Sequence, residues 1–386
     1  MISNYRSLLL QVNSLQDKYR TISEITGEDF NVFKILKLQA SETRLHSAFL
    51  AELLSPLGSH IQKSRFLELF VSKVIAEEFD FDITTAKVRI EQHIGFINEE
   101  KTKGGRLDIA IKDARGNEIL IENKIYAGDQ ENQLLRYHHY NPKAKLLYLG
   151  LDTRRVSEFS CGHLKEFEHF QVITYKDDIS SWLELCRKEA ASFPILRESI
   201  TQYINLIKLL TGQNTNSKMN SELATLLSKD KENLESSWAI ANALDAACDL
   251  LLGKFKLQCE EIGTELGLEF EFGINWSKRY SGFFFWDKDW KDVCIGFEFQ
   301  GMANGLIFGI RWQSDDYKNK EKASEYFDKL NVNNIGHKTD CWPYYENIES
   351  PLDNWDNKEP WLGIIDGTLK EYIFEKIKSI KTILID

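Results

Sequence analysis

Two short segments carry charged side chains where a sheet interior does not ordinarily admit them: Gly105-Arg106-Leu107-Asp108-Ile109 and, after a turn, Ile119-Leu120-Ile121-Glu122-Asn123-Lys124. Side chains alternate faces along a strand, so Glu122 and Lys124 share a face with Leu120, while Ile119, Ile121 and Ile125 take the other. Asp108 shares its face with Arg106 and Ala110, opposite Leu107, Ile109 and Ile111. The link Asp113-Ala114-Arg115-Gly116 puts Asp first in a type I turn and Gly where a three-residue hairpin loop needs a left-handed residue. That register sets Asp108 opposite Glu122, whereas a slip of one residue would send the two carboxylates to opposite faces. Two carboxylates and an ammonium among aliphatics are costly to bury without compensation. A divalent cation compensates them. Asp108, Glu122 and the backbone carbonyl of Asn123 would offer hard oxygen ligands to Mg²⁺ or Mn²⁺, with several waters retained. Lys124 would orient or deprotonate one of those waters and stabilise charge on a phosphate in flight.

This arrangement resembles the PD-(D/E)XK nuclease core, with Leu107-Asp108 standing for its Pro-Asp and Glu122-Asn123-Lys124 for its (D/E)-x-K. The departure at Leu107 removes no ligand. Solvated cross-strand pairs on an exposed sheet are the other reading of these charges, and the apolar runs on both sides of them weigh against it. Gln133 and Tyr137, four apart on a helix just after the hairpin, share a face. They resemble the Gln-x-x-x-Tyr element of RecB-like members, which implies that they position the substrate strand or the lysine.

Upstream, Ser41 to Pro56 reads as a helix with Ser41 as N-cap, an apolar stripe of Leu45, Ala48, Phe49 and Leu53, and Pro56 as its stop. Glu42, His46 and Phe49 fall on roughly one face. The helix resembles the first helix of a bacterial branch of the superfamily, in which such a Glu completes the metal site. Glu42 reads equally as that ligand or as a first-turn acid favoured by the helix dipole. His46 and His60 read as packed histidines, and Glu91, in the strand Val88-Arg89-Ile90-Glu91, is a rival fourth ligand.

Short apolar runs at Leu146–Leu151 and Phe170–Tyr175 read as buried strands, and Asp177-Asp178 open a helix. The order helix, three strands, helix, strand, strand, helix matches the α/β restriction-endonuclease-like fold, an α/β/α sandwich with a central mixed sheet, over roughly residues 30 to 210. With 386 residues and 42% hydrophobic content, two domains are expected. The polar run Thr211-Gly212-Gln213-Asn214-Thr215-Asn216-Ser217 suggests a nuclease domain over 1–211, with N-terminal helices, and a C-terminal α+β domain over 218–386 for target or partner recognition. In the latter, one or two amphipathic helices from about 230 to 266 precede strands at Phe283–Trp286, Val293–Phe299 and Gly305–Trp312, with a final helix near 361 to 383. Trp276, Trp286, Trp290 and Trp312 would stack on bases, form a partner surface or fill a core. The first 26 residues read as a helix with Leu8, Leu9, Val12 and Leu15 on one side, suited to packing or pairing with a partner or a second copy.

No apolar run of about eighteen residues or signal-peptide pattern occurs, so a cytoplasmic protein without membrane attachment is expected. The six cysteines show no Cys-x-x-Cys spacing, which points away from a zinc site or disulfide framework and toward packed free thiols. A net charge of −11 argues against coating DNA with the whole surface. Arg106, Lys101, Lys103, Lys112, Arg136, Lys143 and Lys145 would supply a local basic groove or simply a mixed solvated surface. The resemblance implies a Mg²⁺-dependent nuclease that hydrolyses phosphodiester bonds in DNA, in a setting of bacterial defence or restriction. Its alternatives are a non-catalytic nucleic-acid-binding or assembly module built on a nuclease-like fold, and a largely helical interaction protein.

Overall fold

The computed structural model describes residues 2–75, 79–152, 156–290 and 292–385. The chain divides into two compact units, Met1–Ser236 and Ser237–Asp386.

The first unit is built on a five-stranded mixed sheet of order β1-β2-β3-β4-β5: β1 (Lys87–His93), β2 (Arg106–Lys112), β3 (Glu118–Asn123), β4 (Lys145–Gly150) and β5 (Gln171–Thr174). The first three strands pair antiparallel and the last two add in parallel. Turn chemistry sets the β2–β3 hairpin. Asp113 Oδ1 accepts from Asn117 N at 2.8 Å, Gly116 N donates to Asp113 O at 3.2 Å, and Gly116 takes the positive φ of 93° that the loop requires. The ladder then pairs Lys112 with Glu118 and Ile109 with Ile121.

Alternation distributes the strand side chains between two cores. Ile109, Ile111, Ile119, Ile121 and Ile125 pack with Leu147, Leu149 and Ile173 against Phe66 and Phe70, Trp182 and Leu183, and Ile204 and Ile207. These helical partners come from α4 (Arg65–Phe70), α7 (Ser180–Glu189) and α8 (Pro194–Leu210); ahead of α4 in the chain, α1 (Ile2–Thr26), α2 (Val32–Ile35) and α3 (Ala48–Leu54) complete the N-terminal helices. On the other face, Ala110, Leu120, Leu146 and Tyr148 pack against Leu134, Leu135 and Tyr137 of α5 (Gln133–Tyr140) and against Cys161 at the end of α6 (Glu158–Cys161). The sheet is thus sandwiched between helical layers. Leu107, which strict alternation places with the isoleucines, joins this second core; it follows Gly104 and Gly105, both at positive φ, where the chain is only entering the strand.

The helix expected from Ser41 begins as one wide π-type turn, Glu42–Ser47, before continuing as α3, and Ser41 makes no side-chain cap. The division between units falls beyond the polar run at 211–217. That run forms a turn closed by Asn214, whose side chain caps Ser217 N at 3.3 Å and starts α9 (Thr215–Leu227). Helix α9 stays with the first unit: its Glu222 bonds Lys18 and Tyr19 of α1, at 2.9 and 2.5 Å. Leu8 of the expected α1 stripe is buried, whereas Leu9 is half exposed.

The second unit is a five-stranded antiparallel meander of order β10-β9-β8-β7-β6: β6 (Glu269–Phe272), β7 (Gly282–Trp286), β8 (Val293–Phe299), β9 (Leu306–Trp312) and β10 (Tyr344–Asn347). Its core combines Phe283, Phe285, Phe297 and Phe308 with Phe255 and Ile262 of α10 (Lys231–Leu266). After α11 (Lys320–Leu330), the C-terminal helix is two, α12 (Lys358–Asp366) and α13 (Thr368–Ile385), broken at left-handed Gly367. Trp312 is buried, and Trp276 packs with Phe299, Trp355 and Trp361, so these tryptophans build the core. Among the described residues no helix is long and apolar enough to cross a membrane.

Candidate active site

Continuing the ladder one step beyond Ile109 and Ile121 brings Asp108 across from Glu122, on the face that also receives Lys124. Glu122, Asn123 and Lys124 are all buried at the strand's C-terminal end, and Asp108 is partly so. Asp108, Glu122 and Lys124 line a cavity of about 640 Å³ together with Glu42, Glu91, Gln133 and Tyr137.

The polar atoms of the site are held in a network. Asp108 Oδ2 accepts from Asn123 N at 2.7 Å. A strand residue's N–H and C=O point to the same edge, so the Asn123 carbonyl also faces the Asp108 side. Glu122 Oε1 meets Lys124 Nζ at 2.6 Å and accepts from Gln133 Nε2 at 2.6 Å. Gln133 Nε2 also donates to Tyr137 Oη at 3.1 Å, and that hydroxyl donates to Arg106 O at 2.7 Å. Glu122 Oε2 is buried and without a hydrogen-bond partner among the described residues. An ionised oxygen in that position is costly unless something positive meets it.

The electrostatics carry the same message. Burial first, and then the charge of Asp108, push the Glu122 carboxyl up to about 8. Burial likewise raises Asp108. For Lys124, burial pulls downward, but the adjoining Glu122 carboxylate and Asp108 outweigh it, and the ammonium is held above its usual range. Among the described residues one cation, Lys124, thus faces two carboxyls. Among the described residues no group of three or more His, Cys, Asp or Glu side chains is placed to hold a metal ion. The available donors are therefore two carboxylates and a backbone carbonyl, a set that suits Mg²⁺ or Mn²⁺ with water completing the shell.

Sequence comparison adds one finding. A family model described as the PD-(D/E)XK nuclease superfamily matches residues 30–205. This segment belongs to the PD-(D/E)XK nuclease superfamily. The match takes in the wide turn carrying Glu42, all five strands of the first sheet and most of α8. Nothing among curated proteins or solved structures matches the chain. PD-(D/E)XK nucleases act on nucleic acid and generally use divalent metals, which accords with the donor set of the hairpin.

Within this PD-(D/E)XK unit the remaining site residues fall into distinct places. Glu42 reaches the cavity, but its Oε1 accepts from Ile125 N, Tyr126 N and Ala127 N at 2.6, 3.1 and 3.0 Å. It thereby fixes the chain where it leaves Lys124. Glu91 sits at φ 52° and its Oε2 pairs with Arg106 Nε at 2.6 Å. Gln133 and Tyr137 engage Glu122 and the β2 backbone, not the lysine. His46 is a packed histidine: its Nδ1 meets Tyr203 Oη at 2.8 Å, its Nε2 meets Gln39 O at 3.0 Å, and burial lowers its pKa. His60 is likewise held by backbone groups, at Ser55 O and Gln62 N. Arg136, expected in a basic groove, is buried with its Nε on Gly104 O at 3.0 Å.

A buried polar network behind the hairpin left only a faint trace in the sequence. Asn123 Nδ2 donates to Ser47 Oγ at 3.0 Å, and Tyr175 Oη donates to Asn123 Oδ1 at 2.9 Å. Both polar side-chain atoms of Asn123 are thus anchored between the wide turn and Tyr175, just after β5, which holds this residue of the strand in place. Only a polar residue between two charged ones on an otherwise apolar strand hinted at it.

Proposed function

We propose that the first unit is a Mg²⁺- or Mn²⁺-dependent phosphodiesterase acting on DNA, with Asp108 and Glu122 as metal-binding carboxylates and the Asn123 carbonyl as a further ligand. The observation that carries this reading is the buried, unpartnered Oε2 of Glu122 beside Asp108 and Lys124. A cation bound there supplies Lewis acidity toward a phosphate oxygen and lowers the pKa of a bound water. With the cation bound, Asp108 and Glu122 would be held ionised and would supply the negative charge that retains it. Lys124 presents an ammonium at Nζ, which orients a water for in-line attack and offsets charge growing on the phosphate. Gln133 fixes the Glu122 carboxylate through Oε1 and leaves Oε2 as the oxygen that would meet a cation; Tyr137 braces Gln133 against β2. Glu42 has two roles open to it, capping the loop after Lys124 or adding a ligand, and its three backbone bonds favour the cap. The second unit serves target or partner recognition, since its sheet and aromatic core form a separate compact body.

The test is Mn²⁺ titration of the full chain together with cleavage of linear, circular and single-stranded DNA and of RNA, in Mg²⁺ and in EDTA. Metal binding that vanishes in Asp108→Ala, with EDTA-sensitive cutting, is expected. Metal-independent cutting, or Mn²⁺ affinity unchanged in Asp108→Ala, would refute the assignment.

A further inference from the structure

The connection between β1 and β2 displays a side chain for which phosphodiester chemistry has no use. Phe96 is 92% exposed, and Ile97 beside it is 50% exposed. Both line the cavity of Asp108, Glu122 and Lys124. The backbone that carries them is nevertheless well fixed. Ile94 N donates to Gly105 O at 3.0 Å and Gly105 N to Gly95 O at 2.9 Å. Asn98 Oδ1 accepts from Thr102 N and Lys103 N at 2.9 and 2.8 Å. Gly104, at φ 82°, passes so close that a Cβ there would stand 2.0 Å from Phe96 O. From α5, Arg136 Nε donates to Gly104 O at 3.0 Å, which ties this arm to the helix bearing Gln133 and Tyr137. His93 adds an edge-on contact to the Phe96 ring at 5.4 Å.

We propose that Phe96 is a stacking platform for an unpaired base next to the scissile phosphate, so that the site takes single-stranded or frayed nucleic acid in preference to intact duplex. This rests on the phosphodiesterase reading of the cavity. A phosphodiester bound at Asp108 and Glu122 would lie in the same cavity that Phe96 lines, with its attached bases within that space. An uncharged ring offers nothing to a phosphate; its face recognises the face of a base. Inside a duplex both faces of every base are covered by neighbours, so only an unpaired or terminal base can answer. A rigid arm suits this task, because the ring is already in place and little order is lost when the base arrives.

Full-length wild type, Phe96→Ala and Phe96→Trp are compared using single-stranded and duplex oligonucleotides carrying 2-aminopurine, with metal chelated for binding and with Mg²⁺ for cleavage. The expected result is fluorescence quenching on single strands by wild type and Phe96→Trp. Phe96→Ala should lose that quenching and bind single strands roughly tenfold more weakly, with a parallel fall in kcat/KM, while Mn²⁺ binding stays unchanged. Unaltered quenching and single-strand affinity in Phe96→Ala overturn the platform even where cleavage proceeds. Equal losses on duplex and single strand overturn the preference for unpaired bases. Quenching that depends on Phe96 in a protein that cuts no nucleic acid supports the platform and refutes the nuclease reading. Absence of both, or an effect confined to binding of another protein, overturns both readings.

Discussion

At the scale of single residues, the site separates groups that hold charge from groups that hold those groups. Asp108→Ala and Glu122→Ala remove carboxylates from the cavity and should weaken Mn²⁺ binding and cleavage together. Lys124→Ala should lower cleavage by about 10²- to 10⁴-fold while Mn²⁺ affinity, read by calorimetry, stays near wild type. Equal loss of affinity in all three would contradict the division of roles. Gln133 touches Glu122 Oε1 at 2.6 Å, on the carboxylate whose other oxygen is assigned to metal. Gln133→Ala should therefore cost about 10- to 100-fold in Mn²⁺ affinity with the fold intact by circular dichroism. Glu42 gives a sharper discrimination. Glu42→Gln retains an oxygen for the N–H groups of Ile125, Tyr126 and Ala127 but not the charge a ligand needs. As a loop cap, Glu42→Gln should leave Mn²⁺ affinity within about twofold of wild type, whereas a tenfold loss would identify a metal ligand.

At the scale of elements, the β2–β3 hairpin sets the register on which the site depends, and Asp113 secures it. Its carboxylate accepts from Asn117 N, Asn117 Nδ2 and Asp82 N at 2.8, 3.0 and 3.0 Å. Burial alone would raise this carboxyl, but those hydrogen bonds prevail and hold it down at about 2. A carboxyl depressed on folding stabilises the protein above its unfolded pKa near 3.9 and loses that contribution as pH falls toward 2. Asp113→Ala should cost about 1–3 kcal/mol at neutral pH in denaturant unfolding. The difference between wild type and variant should shrink between about pH 4 and pH 2. A difference independent of pH across that window would show that the carboxylate charge is not what braces the turn.

At the scale of the whole molecule, the two units, Met1–Ser236 and Ser237–Asp386, have separate sheets and separate cores. All the candidate site residues belong to the first. A fragment ending at Ser236, once shown to be folded, should bind Mn²⁺ with the affinity of the full chain and gain thermal stability from it. It should differ from the full chain in substrate preference or partner binding. Loss of Mn²⁺ binding by a folded fragment would mean that the second unit helps to build the site. Unchanged substrate choice and unchanged partners would assign that unit another task.

The sequence by itself determined the features that short-range physics controls. Two-residue alternation placed Glu122 and Lys124 on one face, and Asp113 with left-handed Gly116 fixed the register that sets Asp108 across from Glu122. The mixed sheet, its helical layers and the central strands of the second unit were legible for the same reason. The short edge strands β6 and β10 were not, since four residues carry too little alternation to stand out. The polar run at 211–217 read as a domain break because a helix-capping turn has the composition of a linker. Only the tertiary structure decided which donor each oxygen receives: that Glu42 caps the loop after Lys124, that Gln133 grips Glu122, and that Ser47 and Tyr175 anchor Asn123. Many of those contacts join residues distant along the chain, brought together by hydrophobic packing, and no local period or turn chemistry encodes such a meeting.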